Sequence, residues 1–348
     1  MKKYFLFTVL FFVSCSLYQD NESPDIFFEY SDFDILPLGK TISDMMLGQN
    51  DEVLFLSDYN NNSVLKIDVS GEMAINEILP LGSHPTALDL NSDQSLLAVG
   101  LEGESNIVII NTSSFEIEDN FPISLMNVND LIFLNDSLLV VSSKTDPSCI
   151  LLNIHTGEYA SQSVLNGSLA VDLEQEILFV ATSSSVKKYN WDGTWFIQDS
   201  NVPDPFGFSG NIHHFLFDSQ SNTIFTCISS TNESVSIQHV YSYHCDDMTF
   251  AGKYLIKSPG LAVAIDPTQE RVFTAPTDSD KIGVFIVEFD QQTKLEQNYY
   301  LSAGNLTDRG LVVNSNGSAL FLLVNIPGDD DSFEPYNNFS FDLQRIEL

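Results

Sequence analysis

Apolar residues in this chain come in short runs separated by polar breaks. The clearest stretch, residues 83–124, reads SHPTALDLNSDQSLLAVGLEGESNIVIINTSSFEIEDNFPIS, with apolar runs at 86–90, 95–100, 106–111 and 115–123. Each run is too short for a helix and is dominated by Val, Ile, Leu and Phe, so each predicts a strand. Asn91-Ser92-Asp93-Gln94 predicts a tight turn, because Asn and Asp tolerate left-handed backbone and bond back to it. The four runs together form an antiparallel meander. A single sheet of this kind cannot bury both its faces, so its neighbours must repeat it.

They do. Ile35-Leu36-Pro37-Leu38-Gly39 recurs as Ile78-Leu79-Pro80-Leu81-Gly82, a spacing of 43 residues, and each copy precedes a new meander. In that phase the units cover 42–82, 83–124, 125–164, 165–207, 208–256, 257–302 and 303 onward. The seventh opens with a turn, Asn314-Ser315-Asn316-Gly317-Ser318, of the same form as Asn91-Ser92-Asp93-Gln94-Ser95. It supplies only three strands, and residues 27–38 supply a fourth at the other end of the chain. The expected fold is therefore all-β: a seven-bladed β-propeller of four-stranded antiparallel blades, closed by an N-terminal strand that completes the C-terminal blade. An open solenoid is the structural alternative, but a solenoid needs capping repeats and not a divided terminal unit.

The first residues carry a different pattern. Lys2-Lys3 precede an apolar run over 4–13, and Phe12-Val13-Ser14-Cys15 follows. This is the layout of an export signal, too short to span a bilayer comfortably. The tetrapeptide resembles the bacterial lipobox, which implies lipidation of Cys15 and an envelope location on the periplasmic or outer-membrane face. An ordinary secretory signal is the alternative. Residues 1–15 are thus read as a lipoprotein signal, 16–25 as a polar tether and 26–348 as the propeller.

Composition narrows the partners. Asp and Glu number 48 against 14 Lys and Arg, a formal net charge of −34. Such a surface repels nucleic acid and anionic membranes, which leaves the lipid anchor as the expected membrane contact. No long acidic block occurs, so the charge serves solubility or cation binding. Apart from Cys15 only Cys149, Cys227 and Cys245 remain, an odd set that predicts buried free thiols in place of a disulfide framework. Asn-x-Ser/Thr triplets, at Asn111 and Asn135 among others, fit an Asn- and Ser-rich turn vocabulary; in a eukaryote they would be glycosylation acceptors.

The repeat form also resembles a known group, the YVTN/YncE-like seven-bladed propellers of bacterial and archaeal surface and periplasmic proteins. Gly82-Ser83-His84-Pro85, Leu96-Leu97-Ala98-Val99 and Val108-Ile109-Ile110-Asn111-Thr112 carry the likeness best. Ser258-Pro259-Gly260 with Ala264-Ile265-Asp266-Pro267 is a second match. The third to fifth units lack the proline and the "YVAN"-like tetrapeptide. What the resemblance implies is architecture far more than activity.

In propellers of this kind the loops before the first strand and between the second and third gather around the channel on one face. His84, Asp130, His213, Asp308 and Arg309 are the candidate channel-face binding residues. Three functions compete for them. A divalent ion held by Asp130, His84, His213 and Asp308 would polarise a lactone or ester carbonyl, although no ligand spacing supports this set. His213-His214 reads more simply as one core-facing and one surface-facing strand residue. A calcium site at Asp329, Asp330 and Asp331 is the second, against which stands the lack of an alternating Asp-x-Asp-x-Asn-Gly form. The third, and the one adopted, is a noncatalytic binding or scaffold module without a cofactor, engaging an envelope protein, peptide or glycan through a polar face with a few aromatics. Trp191 and Trp195 are expected to pack between blades.

Overall fold

The computed structural model describes residues 28–29, 33–48, 50–182, 185–203, 210–230, 239–256, 260–266, 268, 271–276, 284–302, 304–327 and 339–348. Cys15 and the acidic cluster Asp329, Asp330 and Asp331 lie outside them. Seven sheets, each built on four antiparallel strands, follow one another along the chain. Their innermost strands are Ile42–Gly48, Pro85–Leu90, Val128–Asn135, Ser168–Asp172, Gly210–Asp218, Gly260–Asp266 and Asn305–Val313. Each touches the inner strand of the next sheet, and the seventh touches the first. The chain is a seven-bladed β-propeller.

Burial explains why the runs are apolar without strict alternation. Among the described residues the buried side chains fall into seven clusters, one at each interface between neighbouring blades. A middle strand is therefore covered on both faces: all six residues of Val53–Asp58 are buried. The outer strands Ala74–Pro80 and Glu116–Pro122 are mostly exposed and read as polar. The cluster between the seventh and first blades joins Phe321 and Leu343 to Leu54 and Leu65.

Turn chemistry repeats as well. Asn91 Oδ1 accepts from Leu96 N–H at 2.8 Å, and Asn314 Oδ1 accepts from Ala319 N–H at 2.9 Å. Gln94 and Gly317 occupy the same left-handed place in these two loops, at φ 58° and 70°.

The segment expected as one strand over 27–38 is two. Phe28–Glu29 runs parallel to Glu296–Ser302, with Phe28 opposite Tyr299, and makes the sixth sheet five-stranded. Phe33–Pro37 lies antiparallel to Phe339–Glu347, with Phe33 opposite Ile346 and Pro37 opposite Asp342. The open edge of a blade offers unpaired N–H and C=O groups to any passing strand, so the incoming chain pairs with one blade before joining the next. The Cys149, Cys227 and Cys245 side chains are buried. Trp195 departs from its expected place between blades: it is 50% exposed, just before the outer strand Phe196–Pro203. Trp191 is half-buried against the core between the third and fourth blades.

Candidate functional site at the central channel

Five of the inner strands share one irregularity. Their pairing slips between Ile42 and Asp44, Pro85 and Ala87, Val128 and Asp130, Ile212 and His214, and Gly260 and Ala262. A bulge of this kind re-aims the extra side chain. In the first three blades that residue ties its blade to the next. Ser43 Oγ donates to Pro85 O at 2.7 Å, Thr86 Oγ1 to Val128 O at 3.2 Å and Asn129 Nδ2 to Gly167 O at 3.3 Å.

Beside these ties lies a second set, lining a cavity of about 540 Å³ in the channel. Asp44 Oδ2 accepts from Leu88 N–H at 2.9 Å, and Asp89 Oδ2 from Phe133 N–H at 2.7 Å. Asp130 Oδ2 accepts from Leu169 N–H at 2.8 Å. His214 Nδ1 accepts from Val263 N–H at 3.1 Å, which fixes the tautomer that carries its proton on Nε2. In each case a polar side chain of one inner strand satisfies the backbone of the next blade's inner strand.

Arg309 enters from the seventh blade on a larger bulge. Leu306 faces Val324 while Leu311 faces Leu322, so five residues of one strand advance against two of its neighbour. Arg309 itself is left-handed at φ 57°. Gly310 has to be glycine, because a Cβ there would come within 2.7 Å of Leu323 O. The guanidinium Nη1 lies 2.9 Å from Asp130 Oδ1 and 3.8 Å from Asp44 Oδ2. Three blades thus meet through one cation.

Burial sets the protonation of the group. It pushes the Asp44 carboxyl up to about 6, against the pull of Arg309. Asp89 is pushed further, to about 8, by burial with the charges of Asp130 and Asp44 adding to it. His214 falls to about 3, through burial first and then the repulsion of Arg309, and is neutral. For Arg309 burial works against the charge, but Asp130 and Asp44 outweigh it and hold the guanidinium above its ordinary value.

The structure brings the sequence candidates together in two pairs. Asp130 and Arg309 share the channel cluster. His213 Nδ1 lies 3.0 Å from Asp308 Oδ1, and neither residue lines the cavity. His84 stands apart: its ring stacks on Tyr59 at 4.4 Å and its backbone N–H donates to Asn62 Oδ1 at 2.9 Å. Asp44 and Asp89 were missed, and His214 was passed over beside His213. Asp44 had a signal, since Ser43-Asp44 and Asn129-Asp130 stand two repeat lengths apart at one place in the strand. Among the described residues no group of three or more His, Cys, Asp and Glu side chains is placed to hold a metal ion.

No family model matches the sequence. No curated protein matches it either. Among solved structures, the hydrazine synthase of Kuenenia stuttgartiensis is similar at a TM-score of 0.65 and 10% identity, over 82% of this chain and 94% of that one. At that identity the likeness shows the fold alone.

Proposed function

We propose that this chain is a noncatalytic binding or scaffold module, a relative of the YVTN/YncE-like propellers, held at a bacterial cell envelope by lipid on Cys15. One observation carries the noncatalytic part: the channel's acids, imidazole and guanidinium serve as ties between blades. Asp130 spends one oxygen on Leu169 N–H and the other on Leu131 N–H and Arg309. Asp44 is engaged likewise by Leu88 N–H and Met45 N–H. A general acid or a metal ligand needs an oxygen that faces the reactant. The partner is then met on a propeller face, by loops held on a rigid scaffold.

The test is direct. Purified propeller should turn over none of a panel of lactones and esters, with or without added divalent cations. Turnover that disappears in Asp130→Asn would replace this reading with a metal-dependent hydrolase at the channel. Calcium should leave the melting temperature unchanged; a rise reversed by chelator would mark a native-state cation site. For the anchor, Cys15→Ala should move the protein from the membrane fraction to the soluble one, and unchanged partition would remove the lipoprotein claim.

A further inference from the structure

A second cavity, between the third and fourth blades, shares no lining residue with the channel. There an open groove of about 850 Å³ is lined by Tyr159, Gln162 and Trp191 with Asn135, Asn153 and Thr194. Its polar floor is unusual. Gln162 is 3% exposed, and its Oε1 has no hydrogen-bond partner among the described residues. It sits where the outer strand Tyr159–Leu165 slips against Ser148–Asn153: Ser161 faces Ile150 but Leu165 faces Ser148. A buried amide oxygen without a donor is costly, and a partner that brings a donor into the groove removes that cost.

The walls say what that partner is. Trp191 lines the groove with its ring packed 4.9 Å from the ring of the buried Phe196, which holds the indole in place. Tyr159 is 41% exposed at the rim. Asn153 Oδ1 is occupied by His155 N–H and Thr156 N–H, which orients its NH₂ group as the remaining donor. Aromatic faces accept the C–H side of a pyranose ring, while amides exchange hydrogen bonds with its hydroxyls. The net charge of −34 disfavours an anionic chain. We propose that the Tyr159–Gln162–Trp191 groove binds a neutral oligosaccharide, with a sugar hydroxyl donating to Gln162 Oε1.

This deepens the binding role proposed above and rests on it, but its test is separate. Trp191 and Trp195 are the chain's two tryptophans, and both belong to the hairpin beside the groove, so intrinsic fluorescence reports there. The intact protein is titrated with tetramers of β-1,4-linked N-acetylglucosamine, β-1,4-linked glucose and α-1,4-linked glucose. At least one should change the emission saturably. Gln162→Leu should weaken that ligand about tenfold while leaving the melting temperature equal or higher, because it removes an unpaired buried amide. Trp191→Leu should abolish the binding. Binding undiminished by Gln162→Leu overturns the proposal, as does a response to extended peptides and to none of the sugars. If no sugar binds while the protein still engages an envelope partner, the groove assignment is lost and the binding role stands.

Discussion

Arg309 donates to Asp130 at 2.9 Å across 179 residues of sequence, joining the seventh blade to the third. The seven interfaces already seal each blade to its neighbours. This pair does something else, since it links blades that are not neighbours, the third and the seventh. Its cost and benefit are both large, because two charges leave water together.

Removing one partner exposes that cost. Arg309→Met keeps the length of the side chain and leaves Asp130 and Asp44 without their cation. Chemical denaturation should show a loss of about 3–5 kcal/mol, the scale for breaking a buried pair from one side. The double variant Arg309→Met with Asp130→Asn should recover part of that loss. A double variant no better than the single would mean that Arg309 acts through packing alone.

Stability should fall as pH rises from about 6.5 to 8. The folded pKa of Asp89 is raised to about 8, so in this window the folded state keeps a proton that the unfolded state has lost. Each such proton lowers stability by about 1.4 kcal/mol per pH unit. Below 6.5 the terms oppose one another. Asp44, raised to about 6, acts in the same direction as Asp89, whereas His214, lowered to about 3, favours the folded state as pH rises. Asp89→Asn keeps an acceptor for Phe133 N–H and removes the ionisation. Its melting temperature should change less than the wild type's between pH 6.5 and 8, and an unchanged slope would assign the effect to overall charge.

The paired termini should matter beyond their length. Phe33–Pro37 covers the edge of Phe339–Glu347, and Arg345 also pairs with Asp34. Deleting residues 26–38 bares that edge, and an exposed edge recruits another chain. Size-exclusion chromatography should show dimers or larger species, or an unfolded chain. A stable monomer with the wild-type melting temperature would show that the interface between blades closes the ring unaided.

Cys149, Cys227 and Cys245 should resist thiol reagents in the native state. Burial raises all three thiols, Cys149 and Cys245 to about 12, so the reactive thiolate is scarce at pH 8. Labelling with a disulfide reagent should be slow in buffer and complete in denaturant. Rapid labelling of the folded protein would place one of these cysteines in a segment that opens locally.

Several elements are legible in the sequence. The ILPLG repeat gave the blade length, and the two Asn-led turns marked equivalent hairpins whose hydrogen bonds coincide. Both signals are local: a turn's chemistry and a strand's apolar run depend on residues within a few positions. The channel was half legible. Asp130 and Arg309 read as loop residues, but both lie within inner strands; their bond crosses the ring, and sequence spacing carries no information about which blades face each other. His84 looked like a channel residue for its place in the repeat, yet its ring pairs with Tyr59 of the preceding blade. Trp195 was misplaced because a tryptophan at the end of a hairpin reads the same whether it turns inward or out.

The sequence by itself determined an all-β chain of seven repeated meanders, since periodic apolar runs and turn residues act at short range and survive repetition. Only the tertiary structure decided what the polar residues do. The inner-strand bulges turn Ser43, Thr86 and Asn129 toward the next blade, and closure of the ring carries Arg309 to Asp130. Both depend on curvature accumulated over seven sheets, a property of the assembled ring that no single repeat contains.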